Sequence, residues 1–354
     1  MRRLRSFVLG GALTCLLAPW GAVAANLDAP VTAHPTVMRL SYKYAANSPP
    51  SQMITRWADE IERESRGRML VKLYPGDSLY VDDIDEHPAP IGNTRYYNVK
   101  NGEIEAAITE HFFWFDLTNI LPQMAIATRP FAFGDEASLR RFDDSRVAHL
   151  LDSDLRGKGV TNIGWLFVAS PSAFVSEHRA LSTAAAFSGE RIRSLGQGMN
   201  QSLGALGAKG VHMNGAGVIS AALRAGGLDG AYIGAIYNLK KGGLAESSKY
   251  LVAAPWTAEY FNMYVNPAWW DKLDPSLKRI ILGATHRLEG EFLDFNDAQT
   301  SKALEQFRSS PGLTVISMSP QAISTIKSRA RMGFDNWFLR ESRPDGRELL
   351  RLTN

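Results

Sequence analysis

Gly189-Glu-Arg-Ile-Arg193 opens the stretch from Phe187 to Gly230 whose reading decides the fold. A glycine turn followed by an apolar residue between two guanidinium side chains reads as the start of a strand. Alternation then puts Arg191 and Arg193 on one face and Ile192 on the other. Downstream, Val211-His-Met213 reads as another short strand, and Val218, Ile219, Ala222 and Leu223 fall at helical spacing in the run to Arg224. Gly226-Gly-Leu-Asp229-Gly230 ends that helix. Strand, helix, strand, helix is the grammar of an α/β lobe, where ligands sit beyond the carboxyl ends of the strands. Arg193 is placed there for a small anion.

Outward from this stretch, the N-terminus carries Arg2, Arg3 and Arg5 before an apolar run from Phe7 to Trp20, with Ala22-Val23-Ala24 as a small-x-small cleavage site. This is the pattern of a secretory signal peptide, and the run is shorter than the roughly 20 residues a spanning helix needs. Residue Thr14 before the one cysteine, Cys15, fits a lipoprotein box poorly, so export is expected over lipid anchoring. Cleavage would leave no cysteine, and stability in an oxidising compartment would rest on the core instead of disulfides. The whole chain has 39 basic and 36 acidic residues; loss of the three leader arginines leaves 36 of each. A neutral surface argues against nucleic acid or an anionic membrane as partner. About 330 mature residues exceed one comfortable core and imply two lobes.

Taken in order, Val37 to Tyr42 reads as a strand and Tyr44 to Asn47 as the loop leaving it. Ser51 is expected to cap a helix with a buried stripe of Ile54, Trp57, Ala58 and Ile61, stopped by Gly67. Met69 to Tyr74 returns as the parallel neighbour of the first strand. Asp77 to Pro90, with Asp77, Asp82, Asp83, Asp85 and Glu86, reads as a long surface loop; its acids lack the spacing and glycine of a calcium loop. A helix over Tyr96 to Asn101 and a strand over Gly102 to Ile108 precede Thr109-Glu-His-Phe-Phe-Trp114, whose rings read as core. Leu139 to Leu155 is a helix and Ile163 to Val168 a strand. The first crossing between lobes is placed at Phe167 to Ser172 and the return hinge at Pro255-Trp256. Asp274 caps and Pro275 opens a run with Leu277, Ile280, Ile281, Ala284, Leu288 and Phe292 at helical spacing. Extended to Ser309 it would reach about 50 Å and brace both lobes. Gly283 and Gly290 inside it predict a kink or break. Leu313 to Ile316 and a last helix through Trp337 complete the body. The expected organisation is a leader over 1–24, a first lobe of 36–168 plus 254–338, a second lobe of 169–253, and a fraying polar tail over 339–354.

Catalytic signatures are sparse. The seven histidines never take zinc-site spacing, there is no Gly-x-Ser-x-Gly elbow, and Gly215-Ala-Gly217 reads as a turn, not a phosphate loop. An active site built from scattered residues stays open.

Phe187-x-Gly189-x-Arg191-Ile192-Arg193, Leu206-Gly-Ala208 and Ala222-Leu-x-x-Gly226-x-x-Asp229-Gly230 together resemble the central signature of the extracytoplasmic solute receptors of TRAP transporters, the DctP type. Arg129-Pro-Phe-Ala-Phe133, Lys249-Tyr250, Val265-Asn266 and Trp270-x-x-Leu273 extend the resemblance over roughly Val37 to Trp337. It implies a two-lobe α/β periplasmic solute-binding protein fold of type II-like form, joined by crossing strands and a long bracing helix. It also implies a non-enzymatic periplasmic receptor that binds a small organic carboxylate between the lobes and delivers it to the membrane subunits. Arg193 would grip the carboxylate, with Asn47, Glu110, Ser172, Asn214, Tyr232, Tyr237 and Trp256 as further candidates. Some relatives pair through a terminal helix, which leaves a homodimer open.

Three positions depart from that pattern. Ala169 to Phe174 holds no second arginine, Val218-Ile-Ser220 replaces Glu-Val-Tyr, and Tyr232-Ile233 stands where relatives carry a glutamate that holds a cation in one branch. No metal and no cofactor are therefore expected. With one carboxylate clamp and aromatic neighbours, a monocarboxylate with a sizeable, partly apolar body fits best. The competing readings are a receptor for another importer or sensor, an exported enzyme acting on a carboxylic acid, and a receptor that has lost its ligand.

Overall fold

The computed structural model describes residues 34–80, 91–133, 136–169, 171–342 and 344–354. The leader and the acids from Asp82 to Glu86 lie outside the described residues.

The chain begins β1 (Thr36–Ser41), α1 (Pro49–Glu64), β2 (Met69–Tyr74), with β1 and β2 parallel from Thr36 opposite Met69 to Ser41 opposite Tyr74. Ser48, not Ser51, caps α1: its side chain accepts from the Ser51 N–H, and Pro49 and Pro50 fill the first turn where a missing N–H costs nothing. Next come α2 (Ile91–Asn101), β3 (Ala106–Glu110), a π-helical turn Phe113–Leu117, a 3-10 helix Pro122–Thr128, α3 (Glu136–Arg140), α4 (Arg146–Gly157) and β4 (Thr161–Ala169). The second lobe follows with β5 (Ser172–Ser176), β6 (Arg191–Ser194), α5 (Gln197–Ala205), β7 (Lys209–His212), α6 (Ala216–Arg224), β8 (Gly230–Ile233) and β9 (Tyr250–Ala254). The return segment is β10 (Glu259–Val265), α7 (Pro267–Lys272), α8 (Pro275–Arg308), β11 (Thr314–Ser317), α9 (Pro320–Glu341) and α10 (Gly346–Leu352).

Two sheets result, ordered β2-β1-β3-β10-β4 and β11-β9-β5-β8-β6-β7. The chain passes between them from β4 to β5, back from β9 to β10, and again through α8 to β11, after which α9 returns it to the first lobe. Helix α8 runs unbroken for 34 residues with Asp274 capping it. Its Leu277, Ile281, Leu288 and Phe292 enter the core of the first lobe, and its Ala303 and Phe307 enter that of the second. Burial of that stripe outweighs the roughly 1 kcal/mol that each of Gly283 and Gly290 costs, so neither breaks the helix. Helix α9 is a second brace: Ile326 and Ala330 pack in the second lobe, Phe334, Trp337 and Phe338 in the first.

Two expectations need correction. Thr314–Ser317 does not stay with the first lobe but pairs in parallel with β9, from Thr314 opposite Tyr250 to Ser317 opposite Ala253. It thereby covers backbone groups that an edge strand would expose. The C-terminal residues do not fray as a polar tail. Leu349 is fully buried and α10 docks on the first lobe's core, where the Arg129 guanidinium donates to the carbonyls of Leu350 (3.2 Å) and Thr353 (2.9 Å). No helix among the described residues is long and apolar enough to cross a membrane.

Candidate functional site

Arg193 lies near the end of β6, opposite Val211 of β7 and Ala231 of β8. Its Nε donates to the Met213 carbonyl and its Nη1 to the Tyr232 carbonyl, each at 2.8 Å, and only 8% of the residue is exposed. Two backbone acceptors at neighbouring strand ends hold the guanidinium plane without neutralising it. Burial lowers its pKa and the Glu259 carboxylate works against that, yet among the described residues no ion pair joins the two. Arg191, on the same strand, is different: its Nε and Nη2 grip both oxygens of Asp229 at 2.9 and 2.7 Å.

Between the lobes lies a cavity of about 520 Å³. The first lobe contributes Lys43, Tyr44 and Phe261, the second Tyr237 and Asn238, and α8 the rings of Phe292 and Phe295. Glu259, the first residue of β10, also faces it. Burial raises the Glu259 pKa, opposed by Arg193 and Lys43, and its Oε1 is sealed from solvent without a hydrogen-bond partner. Tyr44 Oη and Asn238 Oδ1 are in the same condition. The Tyr237 phenol is pushed up to about 12 by burial and by Glu259. The Lys43 ammonium pairs with Glu110 at 2.7 Å and sits 4.9 Å from the centre of the Phe261 ring.

Of the residues singled out in the sequence, Tyr237 lines this cavity; Arg193 is not part of its lining and is linked to it through the charge of Glu259. Glu110 joins Lys43 to Arg95, 2.7 Å from each. Ser172 donates to the Ala254 carbonyl at 2.9 Å, tying the outgoing and returning strands. Tyr232 is fully buried with its phenol 2.6 Å from the Thr257 hydroxyl, and Trp256 packs among Phe131, Phe174 and Phe187. Asn47 and Asn214 are exposed, the latter 3.3 Å from His212.

Residues that sequence reasoning missed include Lys43, Asn238 and above all Glu259. A signal for the last was present, since Glu259 is the one charged residue between Tyr250 and Val265, in a run that reads as buried strand. Spacing along the chain also hid one grouping between α8 and the segment joining α3 to α4, where ligand atoms of Asp143, His286 and Glu289 lie within 4.8 Å of one another. Glu289 accepts from the Trp165 N–H at 2.7 Å, and burial beside Asp143 holds its carboxyl well above the usual range.

Two α/β lobes with a cavity between them are the architecture of a solute-binding protein. Residues 40–340 match the profile of bacterial extracellular solute-binding protein, family 7 (DctP), and the chain belongs to that family. The C4-dicarboxylate-binding periplasmic protein DctP of Shewanella loihica is 25% identical over 147 residues, covering 41% of this chain and 40% of that protein. The chain thus spans about two fifths of the length of the curated relatives it matches. Similarity to solved structures is broader. A TRAP periplasmic solute-binding protein from Ochrobactrum anthropi superposes with a TM-score of 0.78 at 17% identity, covering 90% of this chain and 95% of that one. One from Desulfovibrio salexigens with bound orotic acid gives 0.72 at 19% identity, covering 90% and 97%. At such identities the likeness carries the fold.

Proposed function

We propose that this chain is a periplasmic receptor that closes on a small organic carboxylate and presents it to the membrane subunits of a TRAP-type transporter. The observation that carries the reading is Arg193: a buried guanidinium held in place by two carbonyls, with no carboxylate of the chain within ion-pair distance among the described residues. A forked cation so oriented offers parallel donors to a carboxylate, fixing charge and direction together. The apolar rings of Phe261, Phe292 and Phe295 around the cavity suit a ligand body with hydrocarbon character. The orotic acid of the Desulfovibrio structure and the dicarboxylates of the Shewanella relative are acids of this general kind.

Closure follows from differential affinity. A ligand touching both lobes binds the shut form more tightly and shifts the population toward it, and the shut form is what a membrane partner would recognise. The expected result of a thermal-shift screen over carboxylates is a hit that stabilises the parent by about 2.7 kcal/mol at 100 times its Kd. The same compound should not shift Arg193→Ala. A variant that keeps the parent's ligand-dependent shift would remove Arg193 from the role.

A further inference from the structure

The hinge strand β10 begins with Glu259, an acid that faces the interlobe cavity. Its Oε1 is closed off from solvent and accepts nothing. Leaving such an oxygen unpaired costs roughly 1–3 kcal/mol, so an acid with no function here would be replaced at a gain. The surrounding chain also makes room for it: a Cβ on Gly234 would overlap the Glu259 carboxylate. Gly234 is absent from the residues of positive φ, so the glycine serves that space instead of a turn.

A second unpaired acceptor, Asn238 Oδ1, belongs to a residue lining the same cavity. An acid without hydroxyl or amino groups offers only acceptors once its carboxylate is held, and acceptors cannot satisfy acceptors. The mismatch belongs to the ionised carboxylate, whose two oxygens only accept; protonation would turn one of them into a donor. Lys43 spends one of its donors on Glu110 and, among the described residues, makes no hydrogen bond or ion pair to Glu259.

We propose that Glu259 is the specificity element of the cleft: its Oε1 accepts from a hydroxyl or protonated nitrogen on the ligand, so the solute is a carboxylate that also bears a hydrogen-bond donor. This rests on the carboxylate reading of Arg193 given above.

The test uses matched acids and calorimetry on the exported chain: phenylacetate, mandelate and phenylglycine; propionate, lactate and alanine; glutarate, 2-hydroxyglutarate and glutamate. In at least one series the donor-bearing member should bind about 10- to 100-fold more tightly than the plain acid. Glu259→Met should erase that preference by weakening the donor-bearing acid while leaving the plain acid unchanged or tighter. Gly234→Ala, which displaces the carboxylate without touching it chemically, should do the same to a smaller extent. Equal affinity within every series, no binding by any member, or equal losses for both kinds of acid in Glu259→Met would each overturn the proposal. Arg193→Ala separates the two readings. If it abolishes binding of all members while the wild type shows no donor preference, the clamp stands and Glu259 falls; if it changes nothing, the clamp itself falls.

Discussion

Arg129 and Arg193 are both withdrawn from solvent, 3% and 8% exposed, yet they differ in what answers their charge. Arg129 donates to both oxygens of Asp335 at 2.8 and 2.7 Å, to the carbonyls of Leu350 and Thr353 and to the Asn354 side chain, so α9 and the C-terminus hang on it. Arg193 has two carbonyls and, among the described residues, no carboxylate. A buried cation with its own acid is a tie within the fold. One whose donors are steered but not neutralised suits the role proposed for Arg193, that of receiving an acid from outside.

The largest effect expected from breaking this contrast is on stability. Arg129→Ala leaves Asp335 without its cation and frees the C-terminal carbonyls, a loss of about 3–5 kcal/mol measurable by urea unfolding, with ligand affinity per folded molecule unchanged. If the affinity falls instead, Arg129 is not merely a tie. Arg193→Lys sharpens the other side. The positive charge remains but the fork is lost, so affinity for the carboxylate should drop about 10- to 100-fold, with a smaller stability change than in Arg129→Ala. Equal binding by the lysine variant would show that charge alone suffices.

Much of the fold was legible because spacing reports on burial directly. The stripe Leu277, Ile281, Ala284, Leu288 and Phe292 announces α8, and packing along it decides a question that the glycines alone leave open. Leu313 to Ile316 falls to the first lobe by its place in the chain, but the partner of β11 is β9, roughly 60 residues earlier, and no local pattern encodes such pairing. Around the site, Arg193 stood out through the pattern that surrounds it. The aromatic candidates Tyr232 and Trp256 turned out to pack in the second lobe's core, because ring type does not distinguish a cavity wall from a core. Glu259 was visible as an isolated charge in an apolar run, but its meaning depends on Gly234, 25 positions away by number and in contact only once the sheets form. The C-terminal residues misled because their charges outnumber their apolar side chains, although Leu349 and Leu350 are buried and Arg129 holds the last carbonyls.

The smallest effect comes from an acid that mirrors Arg193. Asp116, in the π-helical turn of the first lobe, reaches the amino end of α5 in the second and accepts from the Gln197 N–H at 2.8 Å. A Cβ on Gly196 would collide with its carboxylate, so the bare backbone there is what lets the two lobes meet. Among the described residues no cation neutralises it, and burial pushes its pKa up to about 6 against the relief from Gln197. A carboxyl raised above its unfolded value of about 3.9 contributes stability that is complete below that value and is lost as pH rises through about 6. Between pH 7 and pH 4 the parent should therefore gain up to about 2 kcal/mol relative to Asp116→Asn, read as a divergence of their melting temperatures on acidification. Parallel melting curves for the two proteins across that window would mean that Asp116 titrates as a solvated acid and that the contact between the lobes is not held shut around it.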